Sequence, residues 1–173
     1  MIRGKLKRGL ITGIILAICV PLWATPSPKE KALTNLILNS LTQTHYAPLK
    51  IDNSYSERVY DLYLKRLDPG KTFLTQIDIN ALNNYRYTID NQLLQSQDAF
   101  FEDATARYQE GIQYVQSIYK DILSDPFPIT QNVSIQLKAE KRAYPKDKDA
   151  QKQLWRKLIS YQVMISYFNL LKE

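Results

Sequence analysis

Apolar residues recur at intervals of three and four through most of this chain, the spacing of helices that each bury one face. From Glu30 the run Leu33, Leu36, Ile37, Leu41 predicts a first helix that fades near His45. Tyr46-Ala47-Pro48-Leu49 ends it, because a proline disfavours helical backbone at the residue before it. Ser54-Tyr55-Ser56-Glu57 has the form of a capping box and opens a second helix that runs to about Leu67. Val59, Leu62, Tyr63 and Arg66 lie along one face of it, and Leu64 and Leu67 widen that face. Asp68-Pro69-Gly70 then supplies three turn chemistries in a row: a carboxylate able to bond its own downstream backbone, a ring that fixes φ, and a residue that accepts φ > 0. Phe73 and Leu74 put apolar bulk into this connection, so the turn is expected to pack against the body.

Beyond the turn, Thr75-Gln76-Ile77-Asp78 is a second capping signal. It predicts a third helix from about Gln76 to Leu94, with Ile79, Leu82, Tyr85, Ile89 and Leu93 on one stripe. A polar break over 95–98 precedes the strongest helical pattern in the chain: Phe100 or Phe101, Ala104, Tyr108, Ile112, Val115, Tyr119 and Ile122. Gly111 weakens it locally, and Asp125-Pro126-Phe127-Pro128 stops it. Residues 129–143 support two readings, since Val133, Ile135 and Leu137 alternate as in a strand while Lys138 to Arg142 favour helix. After a turn at Tyr144-Pro145-Lys146-Asp147, Leu154, Leu158, Tyr161, Ile165 and Phe168 mark a last helix that meets no stop signal. The fold expected is all-α, an irregular domain of about five helices.

Charge changes the picture mainly at the N-terminus. The chain of 173 residues carries 23 basic and 17 acidic side chains, a net of +6 that would suit an acidic partner. Four of the bases, Arg3, Lys5, Lys7 and Arg8, lie in the first 24 residues, where there is no acid; the remainder has 19 against 17. Nucleic-acid binding thereby loses its support. A basic start, the apolar run Gly9 to Trp23 and small residues up to Ala24 form the layout of a secretory signal, with cleavage expected after Ala24. An uncleaved anchor is the alternative, but a span wants about 20 apolar residues and this run is shorter and broken by Pro21. The organisation expected is a signal peptide over 1–24, a linker over 25–30 and a helical domain over 31–173, exported to the periplasm and touching membrane only in transit. Cys19 falls in the leader as an apolar filler, and Ile18 before it argues against lipid attachment. The mature chain then has no thiol chemistry.

Candidate chemistry is sparse. His45 is the single histidine, so a Cys/His metal site is out of reach; it is read as a polar residue at a helix end, with a docking contact as its functional alternative. No glycine-rich phosphate loop and no nucleophile elbow is present. Asp68 and Asp78 flank the central turn at a separation compatible with paired carboxylates, but each already has a local role as turn or cap former. Asn132-Val133-Ser134 matches a glycosylation acceptor, a tripeptide common by chance. No catalytic, cofactor-binding or metal-binding residue is assigned.

His45-Tyr46, Ser54 to Asp61, Tyr63-Leu64-Lys65-Arg66-Leu67-Asp68-Pro69-Gly70-Lys71-Thr72-Phe73-Leu74, Asp78-Ile79, Tyr144-Pro145 and Leu154-Trp155-Arg156-Lys157 together resemble the N-terminal helical domain of the tail-specific, or carboxy-terminal processing, proteases. The resemblance covers the chain from about Lys31 onward. It implies a module that precedes a PDZ domain, which binds substrate C-termini, and a peptidase domain with a Ser/Lys dyad. This sequence contains neither, so no catalytic residue carries over, no cofactor is expected and the chain alone is expected to be inactive. The partners implied are those two domains and a periplasmic adaptor or substrate protein. A free-standing exported helical binding module is the competing expectation.

Overall fold

The computed structural model describes residues 28–44, 49–124, 126–127 and 134–171. The leader over 1–24, the linker residues 25–27, His45 to Pro48 and Asn132 lie outside the described residues. Six α-helices follow one another: α1 (Pro28–Asn39), α2 (Asn53–Leu67), α3 (Gln76–Leu82), α4 (Ile89–Leu94), α5 (Ala99–Ser124) and α6 (Lys148–Leu170). Single turns of other helix types extend α1 (Ser40–Thr44), follow α3 (Asn83–Tyr85) and precede α6 (Ala139–Lys141). No strand occurs among the described residues, and 134–138 is irregular, so the alternation of Ile135 and Leu137 does not make one.

The core is assembled by α2 and α5 with α3 and α4 packed on them. Tyr60, Leu64, Leu74, Leu82, Ile89, Phe100 and Ala104 are buried together. Phe100 is fully buried, with the rings of Tyr60, Tyr63 and Phe101 5.0–5.4 Å away from it or from one another. Burying such side chains is worth about 1.5–3 kcal/mol each, before conformational entropy is counted.

Four sequence expectations change in the structure. The predicted helix over 76–94 is two helices, because α3 lies against α5 while α4 lies against α2. One straight helix of that length would be about 28 Å long and could not reach both. The bend is pinned on the α2 side: Arg86 donates to Glu57 and Asp61, and the buried pair Ser56–Asp90 exchanges two bonds of 2.8 Å. The start of α2 is also displaced. Asp52, not Ser54, is its N-cap, its carboxylate accepting from the backbone of Ser54 and Tyr55, which leaves Glu57 free to bind Arg86. A carboxylate is the stronger acceptor for free helix donors, so it sets the boundary. The cap expected at Thr75 does form, as a reciprocal box with Asp78.

The remaining two changes concern faces. Leu33, Leu36 and Ile37 of α1 stand half to two-thirds exposed, and among the described residues of that helix only Leu38 is buried. The stripe on α6 fades similarly, with Tyr161 and Phe168 exposed, as are Tyr167 and Leu170 outside it. Both faces have the period of buried helices without cover among the described residues.

Candidate functional site: the central turn and the cleft beside it

The turn between α2 and α3 is held by one carboxylate. Asp68 is 1% exposed; its Oδ1 accepts from Thr72 N at 3.0 Å and its Oδ2 from Phe73 N and Leu74 N at 3.0 and 2.9 Å. Three otherwise unpaired backbone donors are thus satisfied by one ion, and the charge is satisfied by them. Asp78 is similarly committed, its Oδ2 accepting from Thr75 N at 2.9 Å and its Oδ1 facing Arg107 at 3.4 Å. The two acids that flank the turn are therefore both engaged in holding backbone and caps.

The backbone of the turn departs from the sequence reading at one place. Gly70 is not in the left-handed region; Lys71 is, with φ 50°. A lysine there carries about 1 kcal/mol of strain that glycine would not. Its side chain is fixed in return: Nζ donates to Arg142 O at 2.7 Å and lies 5.5 Å from the Tyr144 ring centroid. Arg142 completes the clasp by donating to Gly70 O at 2.8 Å.

Distant segments close over the same turn. Gln76 N donates to Pro145 O, Trp155 Nε1 to Thr72 O, and Gln151 Nε2 to both Thr72 O and Phe73 O. Gln151 is fully buried, and its Oε1 has no hydrogen-bond partner among the described residues. From the other side, α5 approaches so closely that a Cβ on Gly111 would stand 2.1 Å from Phe73 O. The glycine that weakens α5 as a helix is what lets the turn seat against it. Tyr144-Pro145 and Leu154-Trp155, which stand far from the turn in sequence, are thus its covers. Sequence reasoning missed the contacts of Gln151, Arg142 and Gly111, for which no local pattern exists.

Beside the turn lies an open cleft of ≈ 610 Å³ between α2, the end of α3 and the segment 139–144. Tyr60, Leu64, Ile79 and Tyr144 supply apolar wall, and Lys71 and Arg86 reach it as cations. Burial pushes the Tyr144 phenol up to about 12, with Asp68 and then Tyr60 adding to the effect. Burial also raises Tyr60, which Arg86 opposes and Asp61 reinforces. Both phenols are neutral donors at neutral pH. The cleft has the mixed apolar and polar lining of a binding surface. Neither hub acid is placed to act as an acid or base there, and Lys71 Nζ is bonded to a carbonyl rather than poised against a hydroxyl. Among the described residues no group of three His, Cys, Asp or Glu side chains is arranged to hold a metal, and no helix is long and apolar enough to cross a membrane.

Residues 37–173 match the family described as tail specific protease N-terminal domain. Among known proteins, the chain is 30% identical over 132 residues to a tail-specific protease of Haemophilus influenzae, an alignment covering 75% of this chain and 19% of that relative. The chain therefore spans less than a fifth of that protease. The match takes in the central turn, the segments that cover it and all of α2 to α6, and on that ground this chain belongs to the tail-specific protease N-terminal domain family.

Proposed function

We propose that this chain is the helical scaffold and docking domain of a periplasmic carboxy-terminal processing serine endopeptidase, without residues that cut the substrate. The observation that carries the reading is the uncovered apolar face at the end of α6. Around half of its circumference Tyr161, Val163, Tyr167, Phe168 and Leu170 are 37–71% exposed, on a helix whose first turns are anchored to the hub. An apolar face of this extent loses stability in water and gains it against a partner surface. Family membership points to the PDZ and peptidase domains of a tail-specific protease as that partner. Export through the basic, apolar leader gives the compartment.

Size-exclusion chromatography of the chain mixed with a tail-specific protease deprived of its own N-terminal domain tests this reading. Co-elution is expected, with loss of the complex on Phe168→Glu. Separate elution at micromolar concentrations overturns it. If the chain instead retains some other periplasmic protein with no protease present, the free-standing binding module takes its place.

A further inference from the structure

The cleft beside the turn has its own charge and shape, distinct from the exposed face of α6. Its charged lining is Asp61, Lys65, Asp68, Lys71, Glu140 and Arg86. Asp61 is committed to Arg86, which also holds Glu57, and Asp68 is committed to three backbone amides. Lys65 and Glu140 are both exposed at the rim, one of each sign. Among the described residues Lys71 forms no ion pair and uses one of its three donors on Arg142 O, within a lining that as a whole carries three acids and three bases. Next to it the Tyr144 hydroxyl makes no hydrogen bond among the described residues, and burial keeps it protonated. A cation and a neutral phenol with free donor capacity thus stand over an apolar floor of Leu64 and Ile79.

We propose that this cleft binds a peptide segment of a partner protein in which a carboxylate side chain is flanked by apolar side chains. The carboxylate meets Lys71 Nζ and the Tyr144 hydroxyl, and the apolar neighbours lie on Leu64, Ile79 and the Tyr60 ring. A carboxylate matches the free donors of Lys71 and Tyr144 as a charge-assisted acceptor, where an amide would be the weaker acceptor and a cation would be repelled by the ammonium. The volume of ≈ 610 Å³ takes a few residues of extended chain, not a folded domain. This deepens the docking reading by naming a partner chemistry, and it uses a surface other than the one that reading relies on.

The test is fluorescence anisotropy of three blocked, labelled pentapeptides with leucines flanking a central glutamate, glutamine or lysine, titrated with the whole chain. The glutamate peptide is expected to bind about ten-fold more tightly than the glutamine peptide and the lysine peptide not at all. Lys71→Met should bring the glutamate and glutamine peptides level, and Lys71→Glu should transfer the preference to the lysine peptide, an inversion no general loss of structure produces. Lys65→Met at the rim should leave the order unchanged. Equal affinity of the wild-type chain for glutamate and glutamine peptides, or no saturable binding of any of them, overturns the proposal and needs no variant to do so. Because Phe168→Glu leaves the cleft intact, peptide binding that survives that substitution separates this inference from the α6 docking reading.

Discussion

Asp68 holds three backbone amides of the central turn with one buried carboxylate. Replacing it with Asn keeps the size but removes the charge and one acceptor, leaving a buried amide unpaired, so Asp68→Asn is expected to destabilise the domain by about 2–4 kcal/mol. Thermal or denaturant melts measure this; a change under 1 kcal/mol would mean that water replaces the carboxylate. The two glycines near it make predictions of different size. Gly111→Ala should improve helix propensity by about 1 kcal/mol, yet its Cβ would enter the space of Phe73 O, and the net expected is a loss of at least about 2 kcal/mol. Gly70→Ala should be much milder, since its Cβ would stand 3.2 Å from Thr72 Oγ1 and its φ is not left-handed. The two melting temperatures compared side by side decide whether close approach or backbone freedom governs this turn.

At the scale of elements, the starts of α2 and α6 are set by carboxylates. Asp147 caps α6 through Ala150 N at 2.9 Å, and Asp147→Ala should cost about 1 kcal/mol by loosening the helix that brings Gln151 and Trp155 to the turn. Asp52 caps α2 and is held down to about 2, first by the Ser54 hydroxyl and then by the Tyr55 amide. A carboxyl depressed in the folded state contributes stability that is complete above its ordinary value near 4 and disappears as pH falls toward 2. Helicity followed by circular dichroism between pH 5 and 2 should therefore decline less in Asp52→Asn, which starts lower. The split of the predicted third helix belongs at this scale too. Its apolar stripe is correct residue by residue, and Leu82 and Ile89 are both fully buried, but the bend between them answers to Arg86 and Asp90, whose partners Glu57, Asp61 and Ser56 lie on α2.

For the whole molecule, burial of phenols makes stability sensitive to alkali. Tyr144 is raised to about 12, and Tyr60, Tyr108 and Tyr114 are raised with it, in each case chiefly by burial. An acid whose folded value is raised keeps its proton in the folded state while the unfolded chain ionises. Stability is then complete below pH 10 and falls between 10 and 12. Urea midpoints across that range should fall less steeply in Tyr144→Phe; an identical slope would show that the ring is more open to water than its surroundings indicate. The same scale holds the two uncovered helix faces, α1 with Leu36 at 64% exposure and α6 with Phe168 at 49%. Their helical period is legible in sequence because period is local, whereas their exposure is a property of what stands opposite.

The sequence by itself determined the helical class, the positions of most helices, the cap at Thr75, the role of Asp68 as a turn former and the family. Each rests on interactions within a few residues, namely the 3.6-residue period, a side chain bonding nearby backbone, or a motif order. It pointed at Tyr144-Pro145 and Leu154-Trp155 without giving a reason for them. Only the tertiary structure decided that these close over the turn through Gln76, Thr72 and Phe73, that Gly111 is a contact rather than a flaw, that Lys71 instead of Gly70 takes the left-handed backbone, and that a cleft opens beside it. Those outcomes depend on pairings across as many as 83 residues, such as the Gln151 and Trp155 bonds to Thr72 O. Their cost and benefit are settled by packing in three dimensions, which no local pattern of apolar and polar residues encodes.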